Sequence, residues 1–519
     1  MKTEESKKTL LKETADTFLS IAHEFKLGKL PTESPNPKTL NLSDLAKENL
    51  SEGYKVFHDI DVQTLLKMKA ESEKLFQLKE AIADTLKSGG RIYLSGCGAT
   101  GRLSLSLETF WREYFQQDLI LKEKVISFMA GGDVALIHSI EKFEDFPEFG
   151  ERQLRENHFH ENDLLISCTE GGETPFVIGA TNFAAKYSKR KPFFLYCNPD
   201  DVLKSVATRS KEVLENENIY KINLTVGPMA LTGSTRLQAS TVLMGFVGFA
   251  LLYHQDSNDL IMQKMDKLIQ FHGAFQYEMF APFTKSEADH YLSGGTILYQ
   301  SAEDWAITIL TDTTERSPTF SLYSFENQDD EEKNPSLVYL YMKSAQTVEE
   351  AWLKLLRRKP RTFFWKEVTT QTTHQRMLGF QFHQGLFDKR RKYLDRADEL
   401  FIIEGNPVLK VAFKDLSLNL DFSSLDLLSK HLMLKMLLNA HSTLLMGRLE
   451  RYVGNLMTWV RPSNYKLIDR SVRYADILLK RKNKEVAYEK LVRDCYELKD
   501  KISRNEPIVL KIVQKNLDS

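Results

Sequence analysis

The feature that most constrains the fold is a strand-like segment, a glycine-rich loop and a helical segment that follow one another over residues 91–114. The apolar residues 92–94 predict a buried strand, and apolar side chains recur at helical spacing from Leu103 onwards. In this order, a strand, a loop and a helix direct backbone N–H groups and the positive end of the helix dipole towards an anion. The hydroxyls of Ser95 and Thr100 can donate further hydrogen bonds. The segment therefore predicts a phosphate-binding loop.

The glycines of this loop, Gly96, Gly98 and Gly101, also match the pattern G-x-G-x-x-G of dinucleotide-binding folds. A dinucleotide site needs an acidic residue about 20 positions later, at the end of the next strand. The next strand-like segment, residues 124–129, is followed by two more glycines before Asp133. The loop therefore favours a small phosphorylated ligand, with a dinucleotide and a purely structural glycine turn as the alternatives. No cofactor is expected.

Composition and charge exclude several classes of protein. A chain of 519 residues is long enough for several domains, and its net charge of -1 gives no overall attraction to nucleic acid or to an anionic membrane. The longest apolar run, residues 242–253, is too short to span a bilayer, and the charged N-terminus lacks the apolar centre of a signal peptide. The four cysteines have no metal-binding or redox spacing, which favours a reducing cytoplasm. We expect a cytoplasmic protein that binds no metal, nucleic acid or membrane.

Strand-like and helical segments alternate from about residue 65, which predicts a parallel sheet with helices on both faces. The strand-like segments are residues 91–95, 124–129, 163–168, 192–197 and 219–226. Ligands of such sheets bind at the carboxyl ends of the strands. Three glycine-containing loops leave strand ends, and we expect them to converge on one ligand. These loops are residues 95–102, 130–133 and 168–175.

Two further segments leave alternatives open. Residues 32–45 are rich in Pro, Asn and Ser, which indicates either a linker or an arm laid over another domain. The turn Gly233-Ser234-Thr235-Arg236 opens a predicted helix and is either a second anion contact or a capping turn.

A second α/β region begins near residue 271 and resembles the first. Its glycine loop, residues 293–296, lacks the full glycine spacing, which indicates a duplicated domain whose phosphate loop has degenerated. We expect two basic clusters, residues 356–361 and 388–391, to be solvent-exposed. The later strand-like segments are residues 336–342, 398–405 and 409–413.

The rest of the chain is predicted to be helical, with segments at residues 431–457 and 461–479 followed by two shorter ones. Lys466 and Arg470 lie one turn apart on one face of the second segment. These two cations are either an exposed basic face or ligand contacts.

Seven motifs, taken in order, resemble one family. They are SGCGATGR, AGGD, CTEGGETPFVIGA, LTGSTR, DTTERSPTF, LLNAHST and SNYKLIDR. Together they resemble the sugar isomerase (SIS) domain family, and within it the N-acetylmuramic acid 6-phosphate etherase and the glucokinase regulatory protein. The resemblance implies two α/β SIS domains, each a doubly wound parallel sheet flanked by helices, and an all-helical C-terminal lid. The implied division is an N-terminal helix and arm (1–50), a first SIS domain with an intact phosphate loop (51–270), a second with a degenerate loop (271–450) and the lid (451–519).

The resemblance also implies particular site residues. The family has Thr-Ser where this chain has Ala99-Thr100, so one hydroxyl is lost. Of the two catalytic glutamates of the etherase, one matches Glu141 and the other matches Glu315 in the second domain, because Phe110 stands at its place in the first. Together with the hydroxyls noted above, the substrate-binding candidates are Ser95, Gly98, Ala99, Thr100, Gly101, Thr169, Gly171, Ser234, Lys466 and Arg470.

These residues predict one composite site, to which the first domain, the second domain and the lid all contribute. The resemblance implies two main functions. The first is a binding protein for a hexose 6-phosphate, typically fructose 6-phosphate, that acts on a partner such as a sugar kinase. The second is an etherase that removes D-lactate from N-acetylmuramic acid 6-phosphate with two glutamates as acid and base. A sugar-phosphate isomerase is a third alternative.

Overall fold

The computed structural model describes residues 14–25, 27–140, 143–503 and 506–518. It confirms the predicted fold class, because the chain forms two α/β units, each with its own five-stranded sheet, and a helical C-terminal region. The candidate residue Glu141 lies outside the described residues.

The first sheet consists of the five predicted strands. These are β1 (Ile92–Gly96), β2 (Val125–Met129), β3 (Leu164–Cys168), β4 (Phe193–Tyr196) and β5 (Tyr220–Asn223). They are all parallel and lie in the order β2-β1-β3-β4-β5. The direction of winding reverses between β1 and β3, so the loops that follow these two strands diverge and leave a crevice at the carboxyl edge of the sheet.

The second sheet is mixed. Its strands are β6 (Ile297–Ser301), β7 (Val338–Tyr341), β8 (Glu399–Glu404), β9 (Val408–Phe413) and β10 (Leu416–Asp421), in the order β10-β9-β8-β6-β7. The strands β6, β7 and β8 are parallel, whereas β8, β9 and β10 form an antiparallel meander. The sequence predicted a parallel sheet here and missed β10, because short turns at Gly405 and Lys414 leave no room for crossover helices.

Helices cover the sheets and form the C-terminal region. They are α1 (Ala15–Ile21), α2 (Leu42–Glu48), α3 (Leu50–Ala70), α4 (Ser72–Lys87), α5 (Ala99–Tyr114), α6 (Pro147–Glu156), α7 (Pro175–Tyr187), α8 (Asp200–Val206), α9 (Thr208–Glu215), α10 (Gln238–Leu252), α11 (Asn258–Ala274), α12 (Ala281–Leu292), α13 (Glu303–Phe320), α14 (Val348–Leu356), α15 (His374–Leu378), α16 (Leu386–Arg390), α17 (Leu427–Arg448), α18 (Tyr465–Lys480), α19 (Tyr488–Lys499) and α20 (Ile508–Leu517). The apolar helix α10 is buried along its whole length and packs against α17, which joins the cores of the two units.

The degenerate phosphate loop of the second unit is not where the sequence placed it. Residues 293–296 precede β6, just as Gly89-Gly90 precede β1, so they lie at the opposite end of the strand. The segment that follows β6 leads directly into α13, whose first turn carries Glu303 and Asp304. These carboxylates already complement the positive end of the helix. The second unit therefore has no glycine loop for an anion at this position.

The predicted helix at residues 431–457 ends early. Helix α17 stops at Arg448, and the chain then forms a short hairpin of β11 (Tyr452–Val453) and β12 (Leu456–Met457). Gly454 in the turn has a φ of 60°, a backbone conformation that favours glycine and ends the helical pattern.

The N-terminal segment at residues 32–45 is an arm laid over the first unit, not a linker. Asn36 Nδ2 donates to the carbonyl oxygen of Pro228 at 2.8 Å, and Thr39 Oγ1 donates to that of Ala230 at 2.7 Å. Thr32, Asn36 and Thr39 are all buried. These hydrogen bonds fix the arm beside the turn that precedes α10.

Both basic clusters that the sequence assigned to solvent contain buried arginines. Arg358 is 8% exposed and donates to Glu108 at 3.0 Å and to Asp133 at 2.6 Å, both in the first unit. Arg390 is fully buried and pairs with Glu326 and Asp398. Runs of like charge are usually solvated, but here buried carboxylates from distant segments surround them. The first cluster is therefore part of the interface between the two units.

Candidate functional site

A cavity of about 310 Å³ lies at the carboxyl edge of the first sheet, where the first unit meets α13 and α18. Its walls come from the loops after β1, β2 and β3, the turn before α10, the C-terminal half of α13 and the start of α18. The structure brings seven of the predicted site residues to this cavity. They are Gly98, Ala99, Gly171, Ser234, Glu315, Lys466 and Arg470.

The loop after β1 presents the start of α5 to the cavity. Gly98 has a φ of 55°, and a Cβ atom added there would meet no atom within 4 Å, so the loop is open on this side. Ala99 is the first residue of α5 and also lines the cavity. The first N–H groups of a helix have no acceptor within it, and together with the helix dipole they favour an anion at this position.

Four predicted contacts do not line the cavity, because their roles are internal to the loops. Thr100 Oγ1 accepts from the N–H of Cys97 at 2.9 Å and donates to the carbonyl of the same residue at 2.9 Å. Gly101 packs against Met129, where an added Cβ atom would lie 2.5 Å from the methionine Cβ.

Thr169 and Ser95 are also absent from the lining of this cavity. The hydroxyl of Thr169 accepts from the N–H of Gly172 and shares a hydrogen bond with Thr174, both at 3.2 Å. Ser95 is buried at the end of β1, and its hydroxyl has no hydrogen-bond partner among the described residues.

Glu315 extends from α13 in the second unit and contacts the first. Its Oε1 accepts from Arg102 at 2.6 Å, and both side chains line the cavity. Arg102 also donates to the carbonyl of Leu136 and to the hydroxyl of Thr314. The sequence analysis did not identify Arg102, although its position in α5, one residue after Gly101, was a signal that it lies near the loop.

Lys466 and Arg470 of α18 are ion-pair partners, with Arg470 buried and Lys466 half-buried, so they do not form an exposed basic face. Lys466 Nζ lies 2.5 Å from Glu173 Oε1, and Arg470 donates to both oxygens of Glu33 at 2.5 and 3.1 Å. Burial would lower the pKa of Lys466, but the charges of Glu173 and Glu33 raise it above its usual value. Lys466 is therefore charged, and it lies on the cavity wall.

Glu33 anchors the arm to α18. Burial alone would raise the pKa of Glu33, but the charges of Arg470, Arg473 and Lys466 outweigh burial and lower the pKa to about 2. Gly233 allows this approach, because a Cβ atom added there would lie 3.0 Å from Nε of Arg470. The sequence analysis did not identify Glu33, since nothing local links it to α18.

The turn at residues 233–236 does not cap α10 through a side chain, because the N-cap of this helix is Leu237 and makes no side-chain cap hydrogen bond. Arg236 donates to Asp312 of α13 at 3.2 Å and to Thr443 of α17 at 2.8 Å, which joins the two units. Ser234 lines the cavity, and its buried hydroxyl has no hydrogen-bond partner in the described part of the chain. The arginine is thus structural, while the serine is available to a ligand.

Two buried glutamates in the loop after β3 complete the cavity, and the sequence analysis missed both. Glu173 pairs with Lys466, and Glu170 lines the wall directly. Burial raises the pKa of Glu170 to about 8, opposed by its own backbone N–H and by Lys466 and assisted by the charges of Glu315 and Glu173. Among the described residues, no cluster of three or more His, Cys, Asp or Glu side chains is arranged to hold a metal ion.

The chain is similar in sequence to several known proteins. Residues 74–185 match the family model described as the glucokinase regulatory protein N-terminal SIS domain. Over 215 residues, or 41% of this chain, the sequence is 34% identical to N-acetylmuramic acid 6-phosphate etherases from Rippkaea orientalis and Salmonella agona. The chain spans 64% and 66% of the length of these two proteins.

A solved structure is also similar. It is the C-terminal domain of glucosamine-fructose-6-phosphate aminotransferase from Francisella tularensis, with 10% identity and a TM-score of 0.39 over 77% of this chain and 96% of that chain. The family model, the etherase relatives and the α/β fold together support an SIS domain in the first α/β unit. None of the helices in the described ranges is both long and apolar enough to cross a membrane.

Proposed function

We propose that the chain binds a hexose 6-phosphate in the cavity between its two α/β units and α18. One observation carries this proposal. The open N-terminus of α5 at Gly98 and Ala99, the cation Lys466 and the unpartnered hydroxyl of Ser234 all line the same cavity. The phosphate would bind at the start of α5, and the sugar would extend towards Glu315. This assignment uses one site per chain, in keeping with the acidic first turn of α13 in the second unit.

The proposed organisation follows the division inferred from the sequence, with an arm up to residue 50, SIS domains at 51–270 and 271–450, and a lid at 451–519. In this arrangement the lid contributes Lys466 and Arg470, and the second domain contributes Glu315. Thr100 and Thr169 would act indirectly, because their hydroxyls hold the two loops in shape.

The proposal is tested by placing a charge at the start of α5. In Ala99→Asp a carboxylate would stand where Glu303 stands in α13, so the helix would tolerate it while a phosphate would be repelled. Calorimetric titration with fructose 6-phosphate should show binding to the wild type and its loss in this variant. Ala99→Ser is the matched control and should bind at least as tightly as the wild type, because it adds a hydroxyl. Unchanged affinity in Ala99→Asp would contradict the site.

We further propose that the bound state is transmitted to a partner protein, for which a sugar kinase is the first candidate. The family model described for glucokinase regulatory protein supports this choice. The test is to titrate the chain into a glucokinase assay, with and without fructose 6-phosphate. A sugar-phosphate-dependent change in kinase rate is expected, and an unchanged rate under both conditions would contradict the partner.

The second candidate function is a carbon–oxygen lyase that acts on N-acetylmuramic acid 6-phosphate. Two observations favour it, namely the etherase relatives and the position of Glu315, which Arg102 holds on the cavity wall. In that reaction one carboxylate removes the proton at C2, and an acid protonates the ether oxygen as D-lactate leaves. Glu141 would supply one of these groups by resemblance.

An assay for D-lactate separates the two functions. Release of D-lactate by the wild type and its loss in Glu315→Gln and Glu141→Gln would establish the lyase. No release, together with binding of the same sugar phosphate, would leave the binding protein.

A further inference from the structure

Glu170 lies on the cavity wall, and its carboxyl group forms no salt bridge with the described residues. It is 8% exposed, and its Oε1 atom has no hydrogen-bond partner among the described residues. The other acidic side chains of the site are partnered. Arg102 binds Glu315, Lys466 binds Glu173, and Cys97 and Asn464 each donate to Glu144.

An unpartnered buried carboxyl group is costly, and in a cavity for an anionic ligand it is also out of place. Glu170 stands close enough to Glu315 and Glu173 for their charges to act on it. Lys466, the nearest cation that acts on it, is already held by Glu173. The Glu170 carboxyl group therefore has no cation of its own, and one of its oxygens is left for a donor on a ligand.

We propose that Glu170 binds the ammonium group of an amino-sugar phosphate, so that the preferred ligand is a hexosamine 6-phosphate with a free amine. This inference rests on the proposed sugar-phosphate site. The ligand is a zwitterion, whose phosphate takes the positive end of α5 and whose ammonium group takes the acidic wall. An ammonium group supplies a positive charge and three donors, which a hydroxyl or an N-acetyl group at the same position does not.

The position of Glu170 in the chain supports this role. The loop after β3 and the loop after β1 lie on opposite sides of the crevice at which the first sheet reverses. A short ligand can therefore reach from Ala99 on one loop to Glu170 on the other, since both residues line the same cavity. The Glu170 carbonyl also accepts from the N–H of Cys197 at 3.0 Å, which fixes the backbone of this residue.

The test compares three ligands that differ at one position, glucosamine 6-phosphate, glucose 6-phosphate and N-acetylglucosamine 6-phosphate, by calorimetric titration into the full chain. The wild type should bind glucosamine 6-phosphate about tenfold to a hundredfold more tightly than the two ligands without a free amine. This is the range expected for one hydrogen bond between charged groups. In Glu170→Gln, which keeps the shape but cannot ionise when an ammonium group binds, the three affinities should become equal to within about threefold.

The outcomes separate this inference from the proposed function. If the wild type binds all three sugar phosphates equally, or if its preference for the amine persists in Glu170→Gln, the role of Glu170 is wrong and the sugar-phosphate site stands. If none of the three binds, the site itself is wrong. The comparison of the three ligands on the wild type needs no variant. It can therefore contradict the inference even if Glu170→Gln folds poorly.

Discussion

The salt bridge between the N-terminal arm and α18 is the structural contact whose loss is most readily measured. Glu33 is 2% exposed and accepts from Arg470 at 2.5 and 3.1 Å and from Arg473 at 3.0 Å. We predict that Glu33→Gln frees α18 from the arm. The variant removes one negative charge and leaves the buried guanidinium group of Arg470 with a neutral partner, while Arg473 keeps its salt bridge to Asp469.

The magnitude follows from the proton affinity of Glu33. Its surroundings lower the pKa from the usual 4.5 to about 2, and a tenfold change in affinity corresponds to about 1.4 kcal/mol, so the ionised form gains about 3 kcal/mol. This agrees with the roughly 3–5 kcal/mol lost when one partner of a buried ion pair is removed. A local opening free energy lowered by about 3 kcal/mol should accelerate hydrogen exchange roughly a hundredfold.

The sign of the pH dependence gives a second expectation. Because folding lowers this pKa, the folded chain binds fewer protons at Glu33 than the unfolded chain does between pH 4.5 and about 2. The stabilisation is therefore complete above about pH 4.5 and is lost as the pH falls towards 2. The difference in stability between the wild type and Glu33→Gln should therefore disappear as the pH falls from about 4.5 to about 2.

The assay is native-state hydrogen exchange followed by mass spectrometry of peptides from α18, near neutral pH. Glu48→Gln is the matched control, because Glu48 is an exposed glutamate at the end of α2 and the same atoms change. Exchange in α18 that rises by less than about threefold, or by as much as in the control, would refute the reasoning.

Three further predictions follow from contacts at the site and at the interface. Thr100→Ala should weaken fructose 6-phosphate binding in calorimetry, because the loop loses both hydrogen bonds to Cys97, whereas Thr100→Ser should retain it; equal affinities in both variants would contradict this. Arg358→Met should lower the free energy of unfolding by about 3–5 kcal/mol, seen as a lower urea midpoint, since it removes the salt bridge to Asp133 and one of three arginines that pair with Glu108, while Lys359→Met at the exposed neighbour should have little effect. If the chain is a lyase, Glu315→Gln should abolish D-lactate release and leave sugar-phosphate binding largely intact; full turnover in this variant would remove Glu315 from the mechanism.

Much of the fold could be predicted because its signals are local. The strands β1 to β5 follow from short apolar runs, and the helix α5 follows from its spacing of apolar residues. The same reasoning failed where two local patterns look alike. A glycine pair precedes both β1 and β6, so residues 293–296 were mistaken for the loop that follows a strand.

The candidate site was predictable only in part. The sequence motifs led to seven residues that do line the cavity, including Glu315 and Lys466. Their partners could not be found in the same way, because Glu33 and Arg470 are 437 positions apart and Arg102 and Glu315 are 213 apart. No period or spacing connects residues at such distances.

The sequence by itself determined the α/β class, the glycine loop at the start of α5 and the order of the motifs, because backbone geometry and apolar periodicity act over a few residues. Only the tertiary structure decided which charges are paired and which are not. Nothing in the sequence near Lys466 or the arginines of residues 356–361 indicates a partner. In the fold, carboxylates from distant segments form salt bridges with these cations. Glu170 is the converse case, since folding buries its carboxyl group at the cavity and leaves one of its oxygens without a hydrogen-bond partner among the described residues.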